Sequence, residues 1–220
     1  MKRISSVIPK EVDIMGRIYR VVFPYTFATN STYVGIHDNC ERCIKLTDMV
    51  EGEKIPIPIL HTTFLHEILH GIVSFFTTEE TYAVTEEVID GLASGIYQVI
   101  VENNLYRGEI PKQLKVGAYI YNIAYPYKFI DEDDAAMSIN NACGKIFISN
   151  LGTMDFKLCR LTNAICNAVY CIYCGGRSIS ELNFNIGEGV YNTIRVNGLD
   201  KLFKKYSYKG VIGNASKKVR

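Results

Sequence analysis

Apolar residues recur at helical spacing in two stretches of the first half of the chain. Leu65, Ile68, Leu69, Ile72, Val73 and Phe76 form one stripe, and Val88, Ile89, Leu92, Ala93, Ile96, Val99 and Ile100 form another. The spacing predicts helices over about 62–76 and 85–101. Thr62 or Thr63 is the candidate cap of the first helix and Thr85 of the second, with Glu86 and Glu87 well placed in its first turn. Upstream, residues 17–23 and 33–36 are rich in β-branched and aromatic side chains, and 43–46 is a short apolar run. Gly, Asn and Asp clusters separate these runs, as between strands. Ile55-Pro56-Ile57-Pro58 reads as an extended connection, because proline suits neither a central strand nor a helix interior.

The pattern then repeats. Residues 8–27, IPKEVDIMGRIYRVVFPYTF, align without a gap on 110–129, IPKQLKVGAYIYNIAYPYKF, at an offset of 102. After a short deletion FLHEILHGIV (64–73) lies over RLTNAICNAV (160–169), and after another GIYQVI (95–100) lies over GVYNTI (189–194). Such self-similarity marks a tandem duplication. The expected fold is therefore α+β, a small β-sheet followed by two helices, present twice. The polar stretch 103–108 marks the boundary, so the expected domains are 1–104 and 105–200, with a basic tail over 201–220.

Composition narrows the function classes. With 48% hydrophobic and 21% charged residues and a net charge of +1, the chain has the makings of a packed core. It lacks the whole-chain field that would draw it to nucleic acid or an anionic membrane. No run approaches the ~18 apolar residues of a membrane span, and no apolar segment follows Met1-Lys2-Arg3 as in a signal peptide. Seven scattered cysteines read as reduced thiols in a cytoplasmic setting. The tail carries Lys201, Lys204, Lys205, Lys209, Lys217, Lys218 and Arg220 with interleaved aromatics; it reads as a solvated tail rather than a nucleic-acid surface.

The chemistry sits in the first apolar helix. His66-Glu67-Ile68-Leu69-His70 is an H-E-x-x-H sequence. On a helix its histidines lie about 40° apart around the axis, one turn from each other, which suits two imidazoles on one tetrahedral zinc. Glu67, about 100° around, can reach a water on the metal without ligating it and serve as general base. A catalytic zinc needs a third protein ligand. Glu79, Glu80, Glu86 and Glu87 are the nearby acids. Helical phase puts Glu86 at the edge of the apolar stripe and Glu87 toward solvent, so Glu86 is the expected ligand. Asp90, one turn on, is placed to fix a ligand imidazole's tautomer. In the second copy His66, Glu67, His70, Glu86 and Asp90 become Thr162, Asn163, Cys166, Ser180 and Phe184, while the apolar frame stays. Joint loss of the reactive positions marks them as one functional unit.

Other reactive residues read as bland. Cys40-x-x-Cys43 falls in a hairpin turn, and Cys159, Cys166, Cys171 and Cys174 read as small core residues rather than a soft-metal site. His61 is out of phase with the ligand face and reads as a surface or early-helix residue. His37 falls in an expected loop. Tyr97 is matched by Tyr191 in the copy without a site, so packing accounts for it.

TFLHEILHGI (63–72) followed by EEVIDGLASGIYQV (86–99) resembles short zincin-like proteins encoded by bacteriophages and, more distantly, ImmA/IrrE-type metallopeptidases and other gluzincins. The resemblance covers about 8–104. It implies two minimal zincin-like units, the second degenerate, and Zn2+ as cofactor. It also implies ligation by a Glu that opens the second helix and support from an acid four residues later, the positions of Glu86 and Asp90. The expected function is a zinc-dependent metallopeptidase acting on a protein or peptide, in the host cytoplasm if phage-encoded. The alternative is a non-catalytic binding or structural protein using the duplicated domain as an interaction platform, with a partner on the second copy.

Overall fold

The computed structural model describes residues 7–28, 32–76, 84–103, 105–130, 134–175 and 185–207. The chain opens with a hairpin, β1 (Glu11–Ile14) and β2 (Arg17–Val22), followed by β3 (Gly35–Asp38) and β4 (Cys43–Leu46). These form a sheet of order β1-β2-β4-β3, in which β2 and β4 run parallel and the other pairs antiparallel. Val12 and Ile14 point into the core and Glu11 faces solvent, a period-2 alternation over a strand too short to stand out in the sequence. A small hairpin, β5 (Met49–Val50) and β6 (Glu53–Lys54), leads to α1 (Ile57–Phe76) and α2 (Glu86–Glu102).

The second half repeats the plan with β7 (Gln113–Val116), β8 (Tyr119–Tyr127), β9 (Met137–Asn140), β10 (Lys145–Ser149), α3 (Met154–Tyr173) and α4 (Asn185–Asn197). Its sheet order, β7-β8-β10-β9, is that of the first. Register repeats too: Val12 opposite Tyr19 becomes Leu114 opposite Tyr121, and Gly35 opposite Leu46 becomes Met137 opposite Ile148. The Tyr19 hydroxyl donates to Asn39 Oδ1 at 2.6 Å, and Tyr121 donates to Asn141 Oδ1 at 3.1 Å. The fold is α+β.

The helices lie between the sheets, and each half's second helix crosses to the other half. α1 packs on β3 and β4, and α3 on β9 and β10, but α4 packs on β1 and α2 on β7. Two reciprocal asparagine clamps pin the exchange. Asn197 Oδ1 accepts from Asp13 N (2.9 Å) and its Nδ2 donates to Asp13 O (2.8 Å). Asn103 does the same at Lys115 N and O, both at 2.8 Å. Gly95 of α2 sits against Val169 and Tyr173 of α3, and Gly189 of α4 against Ile72 and Phe76 of α1. One continuous apolar core results, from Val12 and Leu69 through Ile96 to Leu161 and Ile194.

A methyl at Gly95 would overlap Val169 Cγ1 and come within 2.9 Å of the Tyr173 ring. Gly95→Ala gains roughly 0.5–1 kcal/mol of helix propensity. Overpacking in a filled core costs about 1–3 kcal/mol. We expect a net loss of about 1–2 kcal/mol in denaturant unfolding, partly restored by Val169→Ala.

Three elements depart from the sequence expectation. First, α1 starts at Ile57, so Pro58 occupies its first turn, where a missing N–H is no loss. Thr62 and Thr63 therefore lie inside the helix, and their hydroxyls bond back to Pro58 O (3.0 Å) and Ile59 O (3.1 Å) instead of capping it. Second, His37 lies on β3, not in a loop. Third, residues 201–206 of the expected tail belong to α5 (Leu199–Tyr206), whose Phe203 is fully buried; residues 208–220 lie outside the described residues. Phe203 packs on His61, which is itself buried, within an aromatic box with Tyr97 and Tyr206. There His61 Nε2 meets Val7 O at 3.0 Å, so His61 is a core residue and not a surface one. α1 is long and apolar enough by composition to cross a membrane, but most of it is buried inside the fold.

Candidate metal centre

The apolar stripe of α1 seats that helix on the first sheet and leaves His66 and His70 facing the start of α2. His66 Nε2 and His70 Nε2 stand 2.9 Å apart. Glu86 Oε2 lies 3.3 Å from the first and 3.4 Å from the second. This is the one group of three or more candidate ligand side chains among the described residues, and it could hold a metal ion. Donors on a tetrahedral zinc with bonds of about 2.0–2.2 Å stand about 3.3–3.5 Å from one another; the two Glu86 edges match that spacing, while the imidazole nitrogens at 2.9 Å would have to part by a few tenths of an ångström to seat such an ion.

The surroundings prepare the donors. Asp90 Oδ1 lies 2.7 Å from His66 Nδ1. Accepting the Nδ1 proton there leaves the Nε2 lone pair free for a metal. α2 delivers both acids from one face: Thr85 is its N-cap residue, and Glu86 and Asp90 follow one turn apart. Burial holds the His70 imidazole below its usual pKa against the pull of Glu86, which favours the neutral ligand form. Removing the Asp90 carboxylate by Asp90→Ala is expected to weaken metal affinity about 10–100-fold, measured by competition with a chromogenic chelator.

Glu67 behaves differently. It is only 5% exposed. Burial first, then the charges of Glu86 and Asp90, push its carboxyl up to about 8, against a hydrogen bond from the His37 backbone N–H. A cation in the centre would act in the opposite sense and return it toward the carboxylate. Glu67 also lies against Gly35: a side chain there would overlap Glu67 Oε1 and crowd Thr63 Cγ2 at 2.9 Å. Glu67 shares a cavity of about 560 Å³ with His66, His70, Glu86 and His37. A second cavity, about 660 Å³, opens on its other side between β3 and the first turns of α1.

No protein-family model, no curated protein and no solved structure matches the chain.

The structure thus brings His66, His70, Glu86, Glu67 and Asp90 together. Glu87 stays outside the group, its carboxyl held below the usual range by Thr85, while Glu79 and Glu80 lie outside the described residues. The run 33–36 points to this strand about two residues early, but sequence reasoning missed its part in the site: β3 supplies Gly35, the His37 N–H and the His37 ring, stacked on His70 with centroids 6.4 Å apart. A glycine within a short β-branched run was the available signal, since it often marks a close approach. Where the second half matches this region the place is filled. Met137 replaces Gly35, and Thr162, Asn163 and Cys166 are all buried, with Thr162 Oγ1 hydrogen-bonded to the Tyr106 hydroxyl at 3.0 Å. Ser180 and Phe184 lie outside the described residues.

All seven cysteines are free thiols. Cys40 is exposed in the turn before β4 and Cys43 is buried at its start. Burial pushes the Cys166 thiol up to about 12, the state of an inert core residue.

Proposed function

We propose that the chain is a zinc-dependent peptidase built from two minimal zincin-like units, the second without ligands, working in the cytoplasm. The observation that carries this reading is the convergence of two imidazole nitrogens and one carboxylate oxygen within 3.4 Å of one another, with Asp90 behind His66. His66, His70 and Glu86 would hold the zinc, and when bound it would supply Lewis acidity that lowers the pKa of a water in the open position. Glu67, buried next to these side chains, would serve as general base toward such a water and as general acid toward the leaving amine. Asp90 keeps His66 in the Nε2-ligating tautomer. β3 is the outer strand of its sheet; its His37 N–H is taken by Glu67, and its remaining outward backbone groups would offer an extended polypeptide hydrogen bonds there.

The test is hydrolysis of a mixed-sequence peptide library by the purified full chain, read by mass spectrometry. Cleavage is expected to stop with a strong chelator and return with added zinc. Cleavage that survives complete metal removal would contradict the proposal.

A further inference from the structure

The two halves differ in one more feature beside the metal centre. Strands β4 and β10 match at an offset of 102, but α1 and α3 match at 96, so the first half carries six more residues between strand and helix. In the structure that stretch holds the hairpin β5–β6, residues 49–54, turning through Glu51 (φ 50°) and Gly52 (φ 83°). A two-residue turn with both residues left-handed is the tight hairpin geometry that suits the twist of paired strands. The second half builds the same four-stranded sheet and the same helix without it, so the hairpin is not required by the scaffold. It occurs in the half that carries the metal ligands, as Glu67 and His70 do.

Its position gives it a task. The cavity at the metal centre and the 660 Å³ cavity share Tyr33, Gly35, His66 and Glu67. The 660 Å³ cavity in turn shares Val34 and Ile59 with a third, of about 370 Å³, walled by the hairpin. The three adjoin one another along residues 32–37, from the ligands to β5–β6. In the middle two large apolar side chains, Tyr33 (63%) and Ile59 (54%), are exposed among Thr62, Thr63 and Ser94. The far end is lined by Val50 and Ile55 together with the exposed Glu51, Glu53, Lys54 and Pro56. At the hairpin end two acidic side chains, Glu51 and Glu53, stand beside one lysine, Lys54.

Resting on the peptidase reading, we propose that the β5–β6 hairpin is a substrate-reading element. The three cavities together take an extended polypeptide with an aliphatic side chain over Val34 and Ile59 and, further along, a lysine or arginine over Glu51 and Glu53. The apolar stem of such a cationic side chain lies on Val50 and Ile55 while its charged end meets the carboxylates. Like charge at that end disfavours acidic sequences.

The experiment measures binding of fluorescent peptides with a fixed aliphatic core and a scanned Lys, Gln or Glu position. It uses the full chain as Glu67→Gln incubated with zinc, so that no peptide is consumed, and the same chain with Glu51→Lys and Glu53→Lys added. The parent is expected to bind the best Lys peptide about tenfold or more tighter than its Glu counterpart, and the reversed hairpin to invert that order with unchanged zinc content. Equal binding across the charge series, an order that the reversal does not move, or no binding at all overturns the proposal. Wild-type hydrolysis of the same peptides reports separately on the peptidase reading. An inverted preference with no cleavage supports the hairpin's role and refutes hydrolysis; cleavage with an unmoved preference refutes the hairpin's role alone.

Discussion

Glu67→Gln is expected to keep one equivalent of zinc and to lower kcat/KM on any peptide the wild type cuts by about 10²–10⁴-fold, the range for loss of a positioned general base. The amide has nearly the shape of the carboxylate and leaves His66, His70 and Glu86 untouched, but it cannot take a proton. The same variant has a second signature in the metal-free protein. The folded carboxyl of Glu67 titrates at about 8, well above its ordinary value of 4.5. The folded state therefore holds this proton where the unfolded chain has released it. The contribution is full below the unfolded value and is lost as pH rises through the folded one. The buried histidines His37 and His61 are shifted down from 6.5, so their effect on stability lies below that pH. Between pH 6.5 and 8 the metal-free wild type should lose about 1–2 kcal/mol of unfolding free energy, and Glu67→Gln should flatten that slope. Zinc lost together with activity would assign Glu67 to the metal's support instead.

Gly35→Ala is expected to cost about 100-fold in kcat with zinc content unchanged, a large effect for one methyl group outside the ligand set. The added carbon would overlap Glu67 Oε1 and lie 3.0 Å from Leu46 Cδ2, so the carboxylate must move, while neither His66 nor His70 is among the three nearest neighbours of that carbon. A positioning role separates from simple destabilisation in a double-variant cycle. Glu67→Asp draws the carboxylate back by one methylene, so adding Gly35→Ala to it should cost far less than in the wild type. A Gly35→Ala protein with wild-type kcat, or with costs that simply add, would remove β3 from the account of catalysis.

How much of this was legible in the sequence differs by element. The second helix was read to within about a residue at each end, because Thr85, Glu86 and the Ile89–Ile96 stripe agree on one period. α1 starts five residues before the position its stripe predicts, because proline in the first turn removes only a hydrogen bond that would not form there and so does not bar the helix. The repeat foretold that two halves would share an order of elements. It did not foretell that α2 and α4 would cross to the opposite sheets, because both arrangements bury the same stripes. Within the site, spacing pointed to His66, Glu67 and His70, and phase picked Glu86 over Glu87. What spacing could not reach was β3: nothing in a linear pattern pairs Gly35 with Glu67, since the contact exists only once α1 lies along the sheet's outer strand. His61 shows the same limit, for its burial depends on Val7 and Phe203, 54 residues before and well over 100 after it.

The central claim is that His66, His70 and Glu86 hold one zinc ion, and elemental mass spectrometry tests it most directly. The full chain, purified without chelator and exchanged into zinc-containing buffer, is expected to carry about one zinc per chain, and a His66→Ala, His70→Ala variant essentially none. A wild-type chain that stays metal-free under those conditions, or a variant that retains its zinc, would contradict the account.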